Sequence, residues 1–518
     1  MLFWTNPTFA PEILLVITSL LVLAIDLLFL RTRPTRLRFT IAATLATIGC
    51  LAAILHTTGS PVQTSLLVLT ILTILLSIDS TFTDHVGEFV LLILLATTGM
   101  MFLVATQDLL VLFLSLELLS LSLYILTAFD KRNPRSSEAA LKYFLFGGMS
   151  AAFLLFGFTL LYGLSNSTNI LQIAAAIHGA ISPLLVIAII TTTIGFGFKV
   201  AAAPFHFWAP DVYESAPIPA TAFIASASKV ASFFIFFQLM TLGFLGVEGT
   251  AGWHNITLGW VPVIAAVAAL SMLLGNLVAI VQTSTRRLLA YSAIAHAGYM
   301  LLALVAHTQQ SLTALLYYVL TYALATLGAF AIVGIVEKEA GSDKLSAFDG
   351  LSRRAPALSA CLFVFILSLA GIPPLAGFFG KFYLFLATFN ADHGLLWLVI
   401  LAIATSAISL YYYLQVLKRV FVNNPPPAIS TNNSVISTED ELLHHSNSVI
   451  STEGALLRRS GETPVFSPAA AQKLSADGPS QTTPPLTKAI IILLAASVLV
   501  LGAAPNLLLH WISTAVGM

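Results

Sequence analysis

The chain has only two cysteines in 518 residues, and charge is nearly as scarce, with 46 Asp, Glu, Lys and Arg residues making up 9% of the total. Cys50 and Cys361 each lie inside an apolar run, which excludes a disulfide framework and a cysteine-ligated cluster. A soluble domain carries roughly 25% charged residues, so a water-facing surface of this size cannot be built from the set present. The 23 basic and 23 acidic residues cancel, and no basic face is left for nucleic acid. Nucleotide and redox motifs are missing as well. There is no Cys-x-x-Cys, and GFFGK at 377–381 has Leu375 where a phosphate loop needs its first glycine and Phe382 where it needs Ser or Thr.

What the chain does have is apolar length. Hydrophobic residues make up 58% of it, enough at ~20 residues per crossing for about fourteen helices. Runs of this kind occupy 10–30, 37–57, 61–79, 88–106, 108–128, 138–163, 181–203, 218–243, 257–282, 287–306, 311–336, 356–389, 394–421 and 487–511. They are continuously apolar rather than alternating, so helices are expected and barrel strands are not. The fold class predicted is an all-α polytopic membrane protein of about fourteen transmembrane helices. The first run holds Asp26 and has neither a preceding basic residue nor a cleavage site, unlike a secretory signal. Twenty of the 23 basic residues fall after odd-numbered runs. Since Lys and Arg concentrate in cytoplasmic loops, this predicts one cytoplasmic face and both termini on the other side.

The three basic residues left over, Lys199, Lys229 and Lys381, lie within runs, as does Glu117. An ionisable group at the bilayer centre costs about 3 kcal/mol on insertion scales. Snorkelling accounts for Lys142 and Lys418, which lie near run ends, but not for these four. A buried lysine changes protonation state readily when burial and a neighbouring carboxylate oppose each other, which suits a proton carrier. Lys199 or Lys229 is the expected partner of Glu117, and Arg31 or Arg33 that of Asp26. Pro204, Pro210, Pro217 and Pro219 follow Lys199, and Pro373 and Pro374 precede Lys381. One membrane proline is ordinarily a kink. Two interruptions beside buried lysines point instead to an ion path lined by irregular backbone. His206 in the first interruption and His296 with nearby Tyr291 are possible relays, because histidine titrates near neutral pH. Residues 423–486 are polar and read as a cytoplasmic loop; within them 433–446 is repeated as 447–460.

The stretches FKVAAAPFHFWAPDVYESAPIPATAFIASASKVASF, TSTRRLLAYSAIAHAGY, LSLAGIPPLAGFFGKFYLF and SAISLYYYLQVLKRV resemble the antiporter-like membrane subunits of bacterial NADH-quinone oxidoreductase, respiratory complex I, and among them subunit N, also called subunit 2. Subunit M tends to carry Glu where Lys381 stands, and subunit L adds a long lateral helix after its bundle. The resemblance implies two inverted five-helix repeats with discontinuous helices 7 and 12. It divides the chain into three N-terminal helices (1–87), a first repeat (88–245), a second repeat (246–422), the loop 423–486 and a last helix (487–518). It also implies a proton path through Glu117, Lys199, Lys229 and Lys381. No cofactor is expected in this chain; NADH, FMN, iron–sulfur clusters and quinone belong to partner subunits. The implied partners are other membrane-arm subunits, including M and K, the lipid bilayer and, indirectly, the peripheral redox arm, in a bacterial inner membrane. An Mrp-type cation/proton antiporter subunit, a membrane-bound hydrogenase subunit and a spacer with vestigial charges stay open as alternatives.

Overall fold

Apolar runs too long for a soluble core have to close their backbone hydrogen bonds internally, and in the computed structural model every expected run contains helix. Residues 10–424 and 484–516 are described, apart from positions 58, 178 and 180. The duplicated segment 433–460 lies outside them. The order begins α1 (Ala10–Ile25) with a π-helical extension at Asp26–Leu30, α2 (Thr35–His56), α3 (Pro61–Leu76), α4 (Val86–Ala105), α5 (Leu109–Thr127) and α6 (Pro134–Ser165). Next come α7 (Ile170–Ile177), α8 (Pro183–Lys199), α9 (Trp208–Ser215), α10 (Ile218–Ala225) and α11 (Ala227–Gln238). A hairpin of β1 (Thr250–Gly252) and β2 (Asn255–Thr257) pairs Ala251 with Ile256. It leads into α12 (Trp260–Ile280), α13 (Thr285–Ala306) and α14 (Gln309–Ala340). One-turn α15 (Leu351–Arg354), α16 (Pro356–Ala370), α17 (Ala376–Ala391) and α18 (Leu396–Phe421) follow, then α19 (Pro485–Ala503) and α20 (Pro505–Val516). Among the described residues eleven helices are long and apolar enough to cross a membrane, and α3, α8 and α16 are shorter apolar helices at expected positions.

Polar residues set the helix starts. Asp108 accepts from the Leu110 and Val111 amides to cap α5, Asn133 and Pro134 open α6, and Thr308 with Ser311 forms a capping box on α14. Each such cap contributes about 1 kcal/mol. Where the structure departs from the expected runs, a local cause is often visible. The last run is two helices because Pro505 cannot donate into the ladder. The run at 218–243 is interrupted at Ser226, where φ −113° and ψ −84° end α10 three residues before Lys229. Asp26 pairs with neither Arg31 nor Arg33. Arg38, three residues into α2 and facing back across the turn, takes both of its oxygens at 2.8 and 2.5 Å.

Helices α13 and α14 run through the interior, with nearly every residue of α13 and most of α14 buried, while α1, α6 and α18 present Leu, Ile and Phe outward. The α12–α13 crossing is backbone against backbone. A Cβ on Gly298 would stand 2.7 Å from the Met272 amide nitrogen and 2.9 Å from the Ala268 carbonyl. Gly298→Ala is therefore expected to cost about 1–3 kcal/mol through overpacking, read as a lower Tm of the detergent-solubilised complex. Gly148→Ala, with open space around it, is expected to leave Tm unchanged.

Candidate functional site

The two proline-bearing segments interrupt helices in the interior, and side chains take up the backbone groups thus freed. After α8 the chain passes through Ala201 with φ +58°, a left-handed conformation costing about 1–2 kcal/mol for a non-glycine residue. The Trp208 indole donates to the Phe198 carbonyl at 2.9 Å, and Ser271 of α12 accepts from the Ala203 amide at 2.8 Å. After α16, Gly371 turns with φ +84°, and the Ser368 hydroxyl accepts from the Gly377 amide at 3.1 Å. A buried lysine stands at each interruption. Lys199 ends α8 and donates to Ser120 of α5 at 2.9 Å. Lys381 donates to the Ala370 carbonyl at the end of α16 at 3.0 Å and to Ser406 of α18 at 2.9 Å.

Lys229 follows a further interruption, the one at Ser226 between α10 and α11, and its ammonium donates to the Ala293 carbonyl of α13 at 2.6 Å. It also lies 5.5 Å from the Tyr322 ring centroid, while Lys381 lies 5.2 Å from that of Tyr299. Both rings border His296, at centroid separations of 4.9 and 5.9 Å. His296 Nδ1 is 2.6 Å from the Tyr318 hydroxyl, and Nε2 is 3.1 Å from that of Tyr413, which in turn hydrogen-bonds Ser292. Tyr299 donates to Thr405 at 3.3 Å and accepts from Asn276 at 2.9 Å, and Tyr412 donates to Asn276 at 3.1 Å. Ring contacts thus bring Lys229, Tyr322, His296, Tyr299 and Lys381 side by side in the interior.

Glu117 lies one helical turn from Ser120 on α5 and is only partly buried. Lys199 donates to Ser120 instead, and no direct ion pair joins it to Glu117 among the described residues. His206 is buried in the first interruption and stacks on Phe207 at 4.7 Å. Tyr291 packs at the core edge and is not brought into the His296 set. Beside Lys381 and Ser406 a cavity of about 460 Å³ is walled mainly by Phe378, Phe382, Phe385 and Phe389.

At one end of the bundle the charged loops are cross-linked. Arg132 pairs with Asp84 at 3.2 Å, Arg354 with Glu339 at 2.8 Å, and Arg419 with Asp349 at 3.2 Å. Asp211 of α9 takes Lys142 of α6 at 2.9 Å and Arg287 of α13 at 3.0 Å. Burial raises the Asp211 carboxyl, but hydrogen bonds from Lys142 and Arg287 outweigh it and hold the group below the ordinary carboxylate range. Buried Arg286 donates to the carbonyls of Tyr213, at 2.7 Å, and of Ala216, clamping the chain after the first interruption onto α13.

These features have counterparts in known proteins. Residues 106–409 match the family described as NADH:quinone oxidoreductase/Mrp antiporter, transmembrane. Over 97% of both chains the sequence is 49% identical to NADH-quinone oxidoreductase subunit N 2 of Acidobacterium capsulatum. The chain belongs to the subunit N family of NADH-quinone oxidoreductase. A chain of respiratory complex I from Thermus thermophilus is 31% identical, with a TM-score of 0.73 over 96% of this chain and 98% of that one. A chain of the Mrp complex from Dietzia sp. reaches a TM-score of 0.77 at 20% identity, covering 99% and 97%, a likeness of fold alone.

Sequence reasoning about this subunit N chain found the lysines because charge inside an apolar run stands out. It missed Tyr299, Tyr318, Tyr322, Tyr412, Tyr413, Asn276 and Thr405, which are unremarkable one at a time. A signal was present in the helical spacing, since Tyr318 and Tyr322 are four residues apart on α14 and face the same way. Among the described residues no group of His, Cys, Asp and Glu is arranged to hold a metal ion.

Proposed function

We propose that this chain is a proton-translocating membrane-arm subunit of NADH-quinone oxidoreductase, moving protons through Glu117, Lys199, Lys229, His296 and Lys381. The observation that carries the reading is the row of titratable side chains in ring contact from Lys229 by way of Tyr322, His296 and Tyr299 to Lys381. Residues 88–245 and 246–422 act as two inverted repeats, each holding an interrupted helix, after three N-terminal helices (1–87) and before the last one (487–518). The ion-paired loops face the cytoplasm and both termini face away, in the inner membrane of a bacterium.

Proton transfer here needs no bond-making beyond the exchange of N–H and O–H protons. A unit charge arriving ~10 Å away in a medium of effective dielectric ~20 changes a lysine's protonation free energy by about 1.7 kcal/mol, more than tenfold in occupancy. Charge movement during electron transfer in partner subunits, which hold NADH, FMN, the iron–sulfur clusters and quinone, would thus reset Glu117 and Lys199. Lys229 would follow and hand its proton to the His296 set. Subunits M and K are the proposed neighbours. Gentle detergent extraction tests the assignment: subunits bearing flavin and iron–sulfur clusters are expected to co-purify with the chain. Recovery with small membrane subunits only would assign it to an antiporter assembly instead.

A further inference from the structure

Lys381 faces a space that the row of interior side chains does not use. The cavity beside it, of about 460 Å³, falls within the range of roughly 300–1,000 Å³ for sites that hold one small molecule. Phe378, Phe382, Phe385 and Phe389 recur at helical spacing along its α17 wall, and Ile403 stands on its α18 wall. Phe382 is 48% exposed and Ile403 55%, so the cavity opens sideways through the lipid-facing flank of the bundle.

The cation at the base of this apolar space is incompletely matched. Its ammonium has three protons and gives one to the Ala370 carbonyl at 3.0 Å and one to the Ser406 hydroxyl at 2.9 Å, both of them neutral acceptors. No Asp or Glu pairs with Lys381 among the described residues, in contrast to Lys142, which holds Glu138 at 2.8 Å and Asp211 at 2.9 Å. Buried charges are ordinarily paired. Gly371 also lines the cavity, and its lack of a side chain leaves that flank of the ammonium uncovered, since a Cβ there would stand 3.2 Å from Nζ.

Depth selects the kind of anion. Lys381 lies ten residues before the end of α17, and Ser406 ten residues after the start of α18. At ~1.5 Å per residue that is ~15 Å, half of a hydrocarbon core ~30 Å thick. A phospholipid phosphate stays ionised and remains with water at the interface, whereas a carboxylic acid sheds its charge by taking up a proton and can travel to this depth on its own chain.

We infer that the cavity is a binding site for a free fatty acid drawn from the bilayer, with its carboxylate on Lys381 and its chain between the α17 phenylalanines and Ile403. A neutral acid that passes its proton to a neutral Lys381 amine leaves carboxylate and ammonium as an ion pair, so protons and charge balance. The binding stands on the geometry of the cavity. Its consequence, that the fatty acid holds Lys381 charged and halts proton release there, rests on the proposed function.

The test applies a photoreactive fatty acid to the intact complex in liposomes and maps the label by mass spectrometry of the peptides of this chain. Label is expected within 376–410, and excess palmitate is expected to lower it about tenfold, equivalent to ~1.4 kcal/mol, while methyl palmitate and phosphatidylglycerol leave it in place. Ile403→Trp, which sets an indole in the cavity from a lipid-facing position, is expected to lower the label to a similar extent with turnover unchanged. Lys381→Met is expected to abolish the preference for the acid over its ester. Equal competition by methyl palmitate would make the cavity a plain apolar groove, competition by phosphatidylglycerol would make it a phospholipid site, and no label on α17 or α18 would mean that a neighbouring subunit covers it. Each of these results overturns the fatty-acid site. The competition in wild-type complex needs no variant, so it decides the matter even if Ile403→Trp fails to assemble. Because labelling does not read pumping, loss of the site leaves the proposed function standing, and normal pumping in Lys229→Ala would overturn that function and leave the site.

Discussion

Lys229→Ala is expected to reduce coupled turnover of the complex by well over tenfold while the complex still assembles. Three features set that expectation. The ammonium stands where the first group of interrupted helices meets α13 and α14, bonded to the Ala293 carbonyl at 2.6 Å. It lies 5.5 Å from the Tyr322 ring, which borders His296 at 4.9 Å, so on the proposed path its loss interrupts transfer towards Lys381. It is also a cost to the fold, about 3 kcal/mol for a charge at membrane depth, so removing it does not weaken the bundle. Alanine is the strongest helix former, which favours retention of α11. Lys229→Arg sharpens the point. A guanidinium keeps its proton at all accessible pH, so it preserves charge and blocks release. Coupled turnover is expected to fail in Lys229→Arg too, whereas a role in charge balance alone would leave it working. Turnover in sealed vesicles, normalised to complex content, is the measurement.

Arg38→Ala is expected to have the largest effect on stability, about 3–5 kcal/mol, the penalty for stranding one member of a buried ion pair. Arg38 satisfies both oxygens of Asp26 and also donates to the Asp84 carbonyl at 2.8 Å. Asp26 is 1% exposed and accepts from the Gly87 amide at 3.0 Å, so α1, α2 and α4 meet at one carboxylate. Gly87 leaves that room, since a Cβ there would lie 2.7 Å from Asp26. The stranded carboxylate is the damaging species. Arg38→Met combined with Asp26→Leu is therefore expected to recover most of the loss, and thermal melts of the three proteins check it. Equal destabilisation in the double variant would mean that the pair contributes shape and not charge.

These two sites mark how far the sequence could be read. Run length and the gathering of Lys and Arg outside the runs follow from the free energy of charge in lipid, which acts residue by residue and so leaves a trace in one dimension. Lys199, Lys229 and Lys381 were legible for the same reason. Partnership is not a one-dimensional quantity. Arg31 and Arg33 are nearer to Asp26 in sequence than Arg38, yet the turn at Pro34 folds α2 back so that Arg38 faces the carboxylate. The interruption at Ser226 carries neither the glycine of the break near Lys381 nor the proline of the one after Lys199, and no residue type announced it. The tyrosines around His296 come from α13, α14 and α18 and form a set only when those helices pack. Glu12 is a further case. It is fully buried and accepts from Gln63 Nε2 at 3.3 Å, a partner 51 residues further along the chain.

The central claim is that protons move through this chain by way of Lys229 and the His296 set to Lys381. It is tested most directly by counting protons moved per NADH oxidised in sealed vesicles containing the wild-type or the Lys229→Ala complex, with assembly verified for both. The account predicts a ratio in Lys229→Ala clearly below wild type, with electron transfer from NADH to an artificial acceptor unchanged. An unaltered ratio in a fully assembled Lys229→Ala complex would contradict it.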